Sequence, residues 1–252
     1  MRAFANAARR LLVGPALAAA LAACGPDHDL DCLKSNGSPI VQRRAIDRQL
    51  QGVFVYENVD LTIVPDTAYY AEVRAGEHVI DNITFATTSH QLTIRNTIRC
   101  NWARSYDTPR EVRLHLPALR RVEQHGYGLV SNEGQWAQDT LYVRIQSTGD
   151  VNLNVRSTYL YADSFDAGDL TLRGFAHDFH PTLGSNGFLF AGGLQADYCF
   201  FYTYPTWVGD AHATGTRGLG GTLQGSGTWY YTGTPGYIDV KGPNASRLRK
   251  EQ

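Results

Sequence analysis

From Ile40 onward apolar and polar residues alternate in short runs, with almost no helical spacing. Val53-Phe54-Val55, Val59-Asp60-Leu61-Thr62-Ile63, Ala71-Glu72-Val73, Ile83-Thr84-Phe85 and Leu92-Thr93-Ile94 place apolar side chains at every second position. That period of two is the pattern of a strand with one buried face. Pro65-Asp66, Ala75-Gly76 and Thr88-Ser89 separate the runs and suit turns. Arg43 to Gln51 is the one stretch with helical character; short and uncapped, it predicts at most a helical turn. The chain is expected to be all-β.

A longer period is superimposed on the second half. Gly128-Leu129-Val130, Gly149-Asp150-Val151, Gly168-Asp169-Leu170, Gly187-Phe188-Leu189, Gly209-Asp210-Ala211 and Gly227-Thr228-Trp229 recur at intervals of 21, 19, 19, 22 and 18 residues. Strand-like pieces such as Leu141-Tyr142-Val143-Arg144-Ile145 and Tyr159-Leu160-Tyr161-Ala162 fall between the glycines. A repeat of this length predicts a β-solenoid, in which each rung buries its apolar face only by stacking on its neighbours. The glycines are expected at rung corners, where the chain turns with φ > 0. Six rungs at the ~4.8 Å strand spacing give a body roughly 25–30 Å long. A β-sandwich also shows frequent turn signals; the glycine register, kept while the rest of the sequence varies, favours the solenoid.

The 252 residues carry 23 Lys+Arg against 24 Asp+Glu, and charged residues are only 19% of the chain. Such a balance excludes a nucleic-acid footprint, a disordered acidic tail and a coiled coil. The N-terminus is organised differently from the rest. Arg2, Arg9 and Arg10 precede an uncharged run from Leu11 to Ala23, too short to span a membrane as a helix. The run ends Leu21-Ala22-Ala23-Cys24-Gly25, which resembles the lipobox of bacterial lipoproteins; an ordinary secretory signal that contains a Cys is the alternative. The lipobox implies cleavage after residue 23 and acylation of Cys24, a membrane anchor made of several acyl chains. Gly25 rather than Asp follows the Cys, which by resemblance to proteobacterial lipoprotein sorting implies the outer membrane. The expected organisation is a signal peptide over 1–23, a lipidated linker over 24–42, a β-solenoid over 43–242 and a polar tail over 243–252.

Cys32, Cys100 and Cys199 then remain in an oxidising compartment. Three is odd, so one pair and one free thiol is the simplest arrangement. A Cys32–Cys100 bridge would close a 68-residue loop, worth roughly 3–4.5 kcal/mol in the loop-entropy model. Cys199 lies in the apolar run Asp197-Tyr198-Cys199-Phe200-Phe201 and suits a buried thiol. A three-Cys zinc site is the weaker alternative, since no close C-x₂-C pair exists.

Several stretches in this order resemble the bacterial "putative auto-transporter adhesin, head GIN domain" family, known from Bacteroidetes lipoproteins. They are Asp31-Cys32-Leu33-Lys34-Ser35-Asn36-Gly37, Arg44 to Tyr56, Asn58-Val59-Asp60-Leu61-Thr62-Ile63, Ala75-Gly76-Glu77 and Leu92-Thr93-Ile94-Arg95-Asn96. Cys100-Asn101-Trp102-Ala103-Arg104-Ser105-Tyr106, ending at Pro109, and the closing run Gly225 to Pro235 complete the set, which covers about residues 31–242. The resemblance implies a right-handed parallel β-solenoid in two packed parts, and it implies pairing of Cys32 with Cys100. Gln124-His125-Gly126-Tyr127-Gly128 departs from the family's Gly-Ser-Gly, and Asn186-Gly187 departs from its Ser-Gly or Gly-Asp; altered corners are expected there.

Candidate chemistry is sparse. Asp150 and Asp169 occupy equivalent places on consecutive rungs, as a polysaccharide-cleaving carboxylate pair would, or else they cap turn N–H groups. His177-Asp178-Phe179-His180, followed by Pro181, is the densest ionisable cluster; it suits an exposed inter-rung loop better than a metal site. No hydrolase, zincin, P-loop or dinucleotide motif is present, so neither catalytic residue nor cofactor is expected. Aromatic residues crowd the C-terminal third, and Tyr202, Tyr204, Trp207, Trp229 and Tyr231 are the candidate binding surface, for a glycan or protein ligand. The sequence thus predicts a lipid-anchored envelope solenoid with a binding or adhesion role, against a β-helix enzyme or a purely structural envelope protein.

Overall fold

The computed structural model describes residues 35–98 and 108–251. Cys24, Cys32 and the run from Cys100 to Tyr106 lie outside the described residues, and with them the lipidation site and the Cys32–Cys100 pair. The described residues form one continuous sheet wound into a β-solenoid of about six turns. Its first strands are β1 (Pro39–Ala45), β2 (Gly52–Val55), β3 (Asp60–Pro65), β4 (Tyr70–Gly76), β5 (Ile83–Thr88), β6 (Gln91–Asn96) and β7 (Arg110–Leu116). The middle comprises β8 (Arg121–Gln124), β9 (Val130–Asn132), β10 (Trp136–Ile145), β11 (Val151–Ser164), β12 (Leu170–Leu183) and β13 (Leu189–Thr203). The chain closes with β14 (Asp210–Thr214), β15 (Gly218–Leu223), β16 (Thr228–Thr232), β17 (Tyr237–Lys241) and β18 (Leu248–Lys250).

Two parallel runs wind side by side. One joins β2, β8, β10, β11, β12, β13, β15 and β17; the other joins β3, β9, β11, β12, β13, β14, β16 and β18. The long strands β11, β12 and β13 belong to both. Tyr142 faces Tyr161 and Val151 faces Leu170, so the 19-residue spacing of the sequence is the rung length. Inward positions Leu141, Leu160, Phe179, Cys199 and Leu219 stack into a closed apolar column. Burial pushes the Cys199 thiol far above its ordinary value, so it packs as a small apolar group.

The first third departs from pure parallel winding. β4 pairs antiparallel with both β1 and β7, and β5 with β6. Arg43 to Ala45, expected in a helical turn, belong to β1 instead, because antiparallel pairing with Tyr70 to Glu72 supplies the partners that a short uncapped helix lacks. The β5–β6 hairpin turns through Ser89 and His90, both with positive φ (50° and 62°).

The corner glycines are where the sequence placed them, but for another reason. None of Gly128, Gly149, Gly168, Gly187, Gly209 and Gly227 has a left-handed φ. Instead each backbone packs directly on the rung below. A Cβ on Gly149 would lie 2.5 Å from the Gly128 carbonyl oxygen, on Gly168 2.2 Å from that of Gly149, and on Gly187 2.5 Å from that of Gly168. The series continues through Gly209 and Gly227 at 2.5 and 2.1 Å. Absence of a side chain, not freedom of φ, is what the corner needs.

Asp side chains stitch the same corner. Asp60 Oδ1 accepts the Leu129 N–H at 2.7 Å, Asp150 Oδ1 that of Asp169 at 2.9 Å, and Asp169 Oδ1 that of Phe188 at 3.0 Å. One inward column alternates polar and apolar: Gln124, Ile145, Ser164, Leu183, Thr203, Leu223. The polar members bond the turns. Thr203 Oγ1 accepts the N–H groups of Gln224 and Gly225 at 2.9 and 3.1 Å. Gln124 donates to the Gly128 carbonyl at 2.6 Å and accepts the Gly126 N–H at 2.9 Å. Gln124 thereby closes the corner whose sequence departs from the family spelling, and Gly187 keeps the common corner despite the preceding Asn.

Candidate binding face

Outward positions of β10 to β13 build an aromatic face. Because the rungs are 19 to 20 residues apart, Tyr142, Tyr161, His180 and Phe200 fall into one column. Their ring centroids are 4.8, 4.9 and 5.6 Å apart, with planes within 30° of parallel. Tyr159, Asp178 and Tyr198 form the column on one side. On the other run Arg144, Asp163, Thr182 and Tyr202, where Arg144 donates to Asp163 Oδ2 at 2.7 and 3.1 Å. Stacked rings cover one another's faces, so the central column shows solvent mainly ring edges and hydroxyls. Tyr142 (45% exposed) and Tyr159 (41%) are among the most open side chains of this face.

The five aromatics singled out in the sequence separate. Tyr202 (37% exposed) and Tyr204 (43%) lie on this face, ring against ring in an edge-on contact at 5.1 Å. Trp207 (1%) and Trp229 (0%) do not belong to any surface; this corrects the sequence expectation. Trp229 stacks on Phe201 at 3.8 Å, and Trp207 fills the space that Gly225 and Gly227 leave by having no side chain. Trp207 Nε1 donates to the Gly187 carbonyl at 3.4 Å. Tyr231 is half-buried against the core. Tyr142, Tyr161 and His180 were missed, although their exact 19-residue spacing was available in the sequence.

The ionisable candidates are placed as well. His177 to His180 lie inside β12 and not in a loop, because the parallel ladder continues through Asp178 and Phe179 up to Leu183. Phe179 is fully buried, His177 Nδ1 lies 3.1 Å from Asp178 Oδ1, and His180 stands in the aromatic column. Asp150 and Asp169 each hold a backbone N–H of the next rung.

Burial holds the His180 imidazole below its ordinary value, against the opposing pull of Asp178. The folded state therefore binds this proton less readily than the unfolded chain. Stability from this group is complete above about pH 6.5 and is lost as pH falls below it, since unfolding then takes up a proton. His180→Phe keeps the stack without the proton. Its denaturation midpoint is expected to change less than the wild-type midpoint between about pH 7.5 and about pH 5; an equal change in both proteins would contradict this role for His180.

Residues 49–235 match the family described as "Putative auto-transporter adhesin, head GIN domain". Among solved structures, one described as a putative adhesin from Bacteroides fragilis superposes with a TM-score of 0.70 at 19% identity, covering 84% of this chain and 96% of that one. A putative adhesin from Parabacteroides merdae gives 0.63 at 15% identity, over 86% and 98% of the two chains. A putative lipid binding protein from Parabacteroides distasonis gives 0.64 at 15% identity over the same shares. At these identities the likeness establishes the fold. Comparison with curated proteins returns no match. The stacked rungs and the match across most of the sequence lead to one conclusion: this chain belongs to the putative auto-transporter adhesin, head GIN domain family.

Proposed function

We propose that this chain is a lipid-anchored outer-membrane protein that works by non-catalytic binding, with the aromatic face of β10 to β13 as its contact surface. The family's description as adhesins supports a binding role at the cell envelope. The observation that carries the proposal is the face itself: tyrosines held rigid by a continuous ladder, with edges and hydroxyls outward. Such side chains give large contact area and hydrogen bonding at little entropic cost, which suits a protein partner. The Asp residues of the enzyme alternative are committed to backbone N–H groups, which supports the non-catalytic reading. Cys24 is the proposed anchor. Cys32–Cys100 is the proposed disulfide, supported by the Asn36 to Thr108 hydrogen bond of 3.0 Å, which ties the segment after Cys32 to the segment after Cys100.

The test presents the purified chain to a panel of immobilised extracellular-matrix proteins and, separately, to soluble polysaccharides assayed for new reducing ends. Saturable binding to a protein without polysaccharide cleavage is the expected result. Cleavage of a polysaccharide, or no retention on any protein, would overturn it.

A further inference from the structure

Where β10, β11 and β12 bend between their two halves, the paired ladder skips one residue in each strand: Asp139, Thr158 and His177. These three, with Gln138, Arg156 and Phe175, line a groove of about 460 Å³, within the ~300–1,000 Å³ usual for ligand pockets. Its polar groups have hydrogen-bonding capacity to spare. The Arg156 guanidinium makes no hydrogen bond or ion pair among the described residues, and only lies over the Phe175 ring at 5.5 Å. Arg144 on Asp163 and Arg113 on Glu133, by contrast, are held in ion pairs. Asp139 accepts just the neighbouring Thr140 hydroxyl at 3.2 Å, and Gln138 donates to the Pro117 carbonyl at 3.4 Å, which leaves its own carbonyl oxygen open.

We infer that this groove binds a short stretch of neutral glycan. An anion placed beside Arg156 would also meet the carboxylate of Asp139, and Asp178 stands next to His177. A cation would meet Arg156. A polyhydroxylated ring carries donors and acceptors at close spacing together with an apolar C–H face, and the groove offers fork-like donors, carboxylate and amide acceptors and an aromatic ring. This goes beyond the adhesive role proposed above, because none of the residues lining the groove is among the tyrosines of that contact face.

The test titrates the full chain with N-acetylglucosamine, galactose and mannose disaccharides, and with inorganic phosphate, by calorimetry or ligand-observed NMR. Saturable binding of at least one neutral disaccharide is expected. Arg156→Ala and Asp139→Asn should each weaken it at least about tenfold, the loss of one charge-assisted hydrogen bond. Both side chains are exposed, so unchanged melting temperatures should accompany the loss. Tyr142→Ser should leave saccharide binding unchanged. Absence of disaccharide binding, binding indifferent to both groove variants, or binding of phosphate alone would each overturn the inference. Protein adhesion that survives in the groove variants keeps the two proposals apart.

Discussion

Gly168→Ala is expected to destabilise the chain by about 3–5 kcal/mol, more than an ordinary overpacked core position. The new Cβ would stand 2.2 Å from the carbonyl oxygen of Gly149 and 2.9 Å from Ile145 Cγ2. The oxygen belongs to backbone held within a stack of rungs, so it cannot swing aside as a flexible side chain would. Relief requires the rungs to part, which threatens the Gly168 N–H to Ser147 bond of 3.1 Å and the Asp150 bond to Asp169 at 2.9 Å. Gly192 supplies the contrast. It sits at the register shift between β12 and β13, with no atom within 4 Å of a Cβ built on it and no left-handed φ. Gly192→Ala should be neutral or stabilising by up to about 1 kcal/mol. Equilibrium denaturation in urea checks both; similar midpoints for the two variants would refute the close-packed corner.

Trp229→Ala is the second large effect, with an expected cost of about 3–5 kcal/mol. Its ring is fully buried between Phe201 at 3.8 Å and Trp207 at 6.4 Å, and truncation leaves a cavity that two stacked rungs cannot close. Tyr202→Ala removes a comparably aromatic neighbour from the surface. It forfeits one exposed hydrogen bond, from Gln224 Nε2 at 2.6 Å, and should stay within about 1 kcal/mol. Thermal unfolding of the two variants distinguishes core from face; a marginal effect at Trp229 would place its ring outside.

The strand pattern was legible because alternation at period two is written residue by residue, as in Leu141 to Ile145. The rung length was legible because glycine marks each corner. What a glycine does there was not legible: φ > 0 and close backbone contact use the same residue, and only the 2.1 to 2.5 Å approaches tell them apart. The antiparallel pairing of β4 with β1 and β7 is a long-range matter, and Arg43 to Ala45 carry no local sign of it. The aromatic run 198–207 showed its composition but not its sides. Within a strand, alternation exposes Tyr202 and buries Phe201, whereas Trp207 follows the turn after β13 and escapes that rule. The column of Tyr142, Tyr161 and His180 was visible only to a search at the rung period.

In the proposed function a rigid tyrosine face, not the solenoid as a whole, makes the adhesive contact. The most direct measurement compares three forms of the chain on one immobilised protein partner: wild type, the face variant Tyr142→Ser/Tyr159→Ser/Tyr202→Ser, and a variant of the other run, Phe188→Ser/Phe190→Ser, whose side chains are also exposed. The face variant should lose at least about tenfold in affinity, as removal of aromatic anchors does, while the other variant binds like wild type. Equal binding by all three, or loss only in the Phe188/Phe190 variant, would contradict the account.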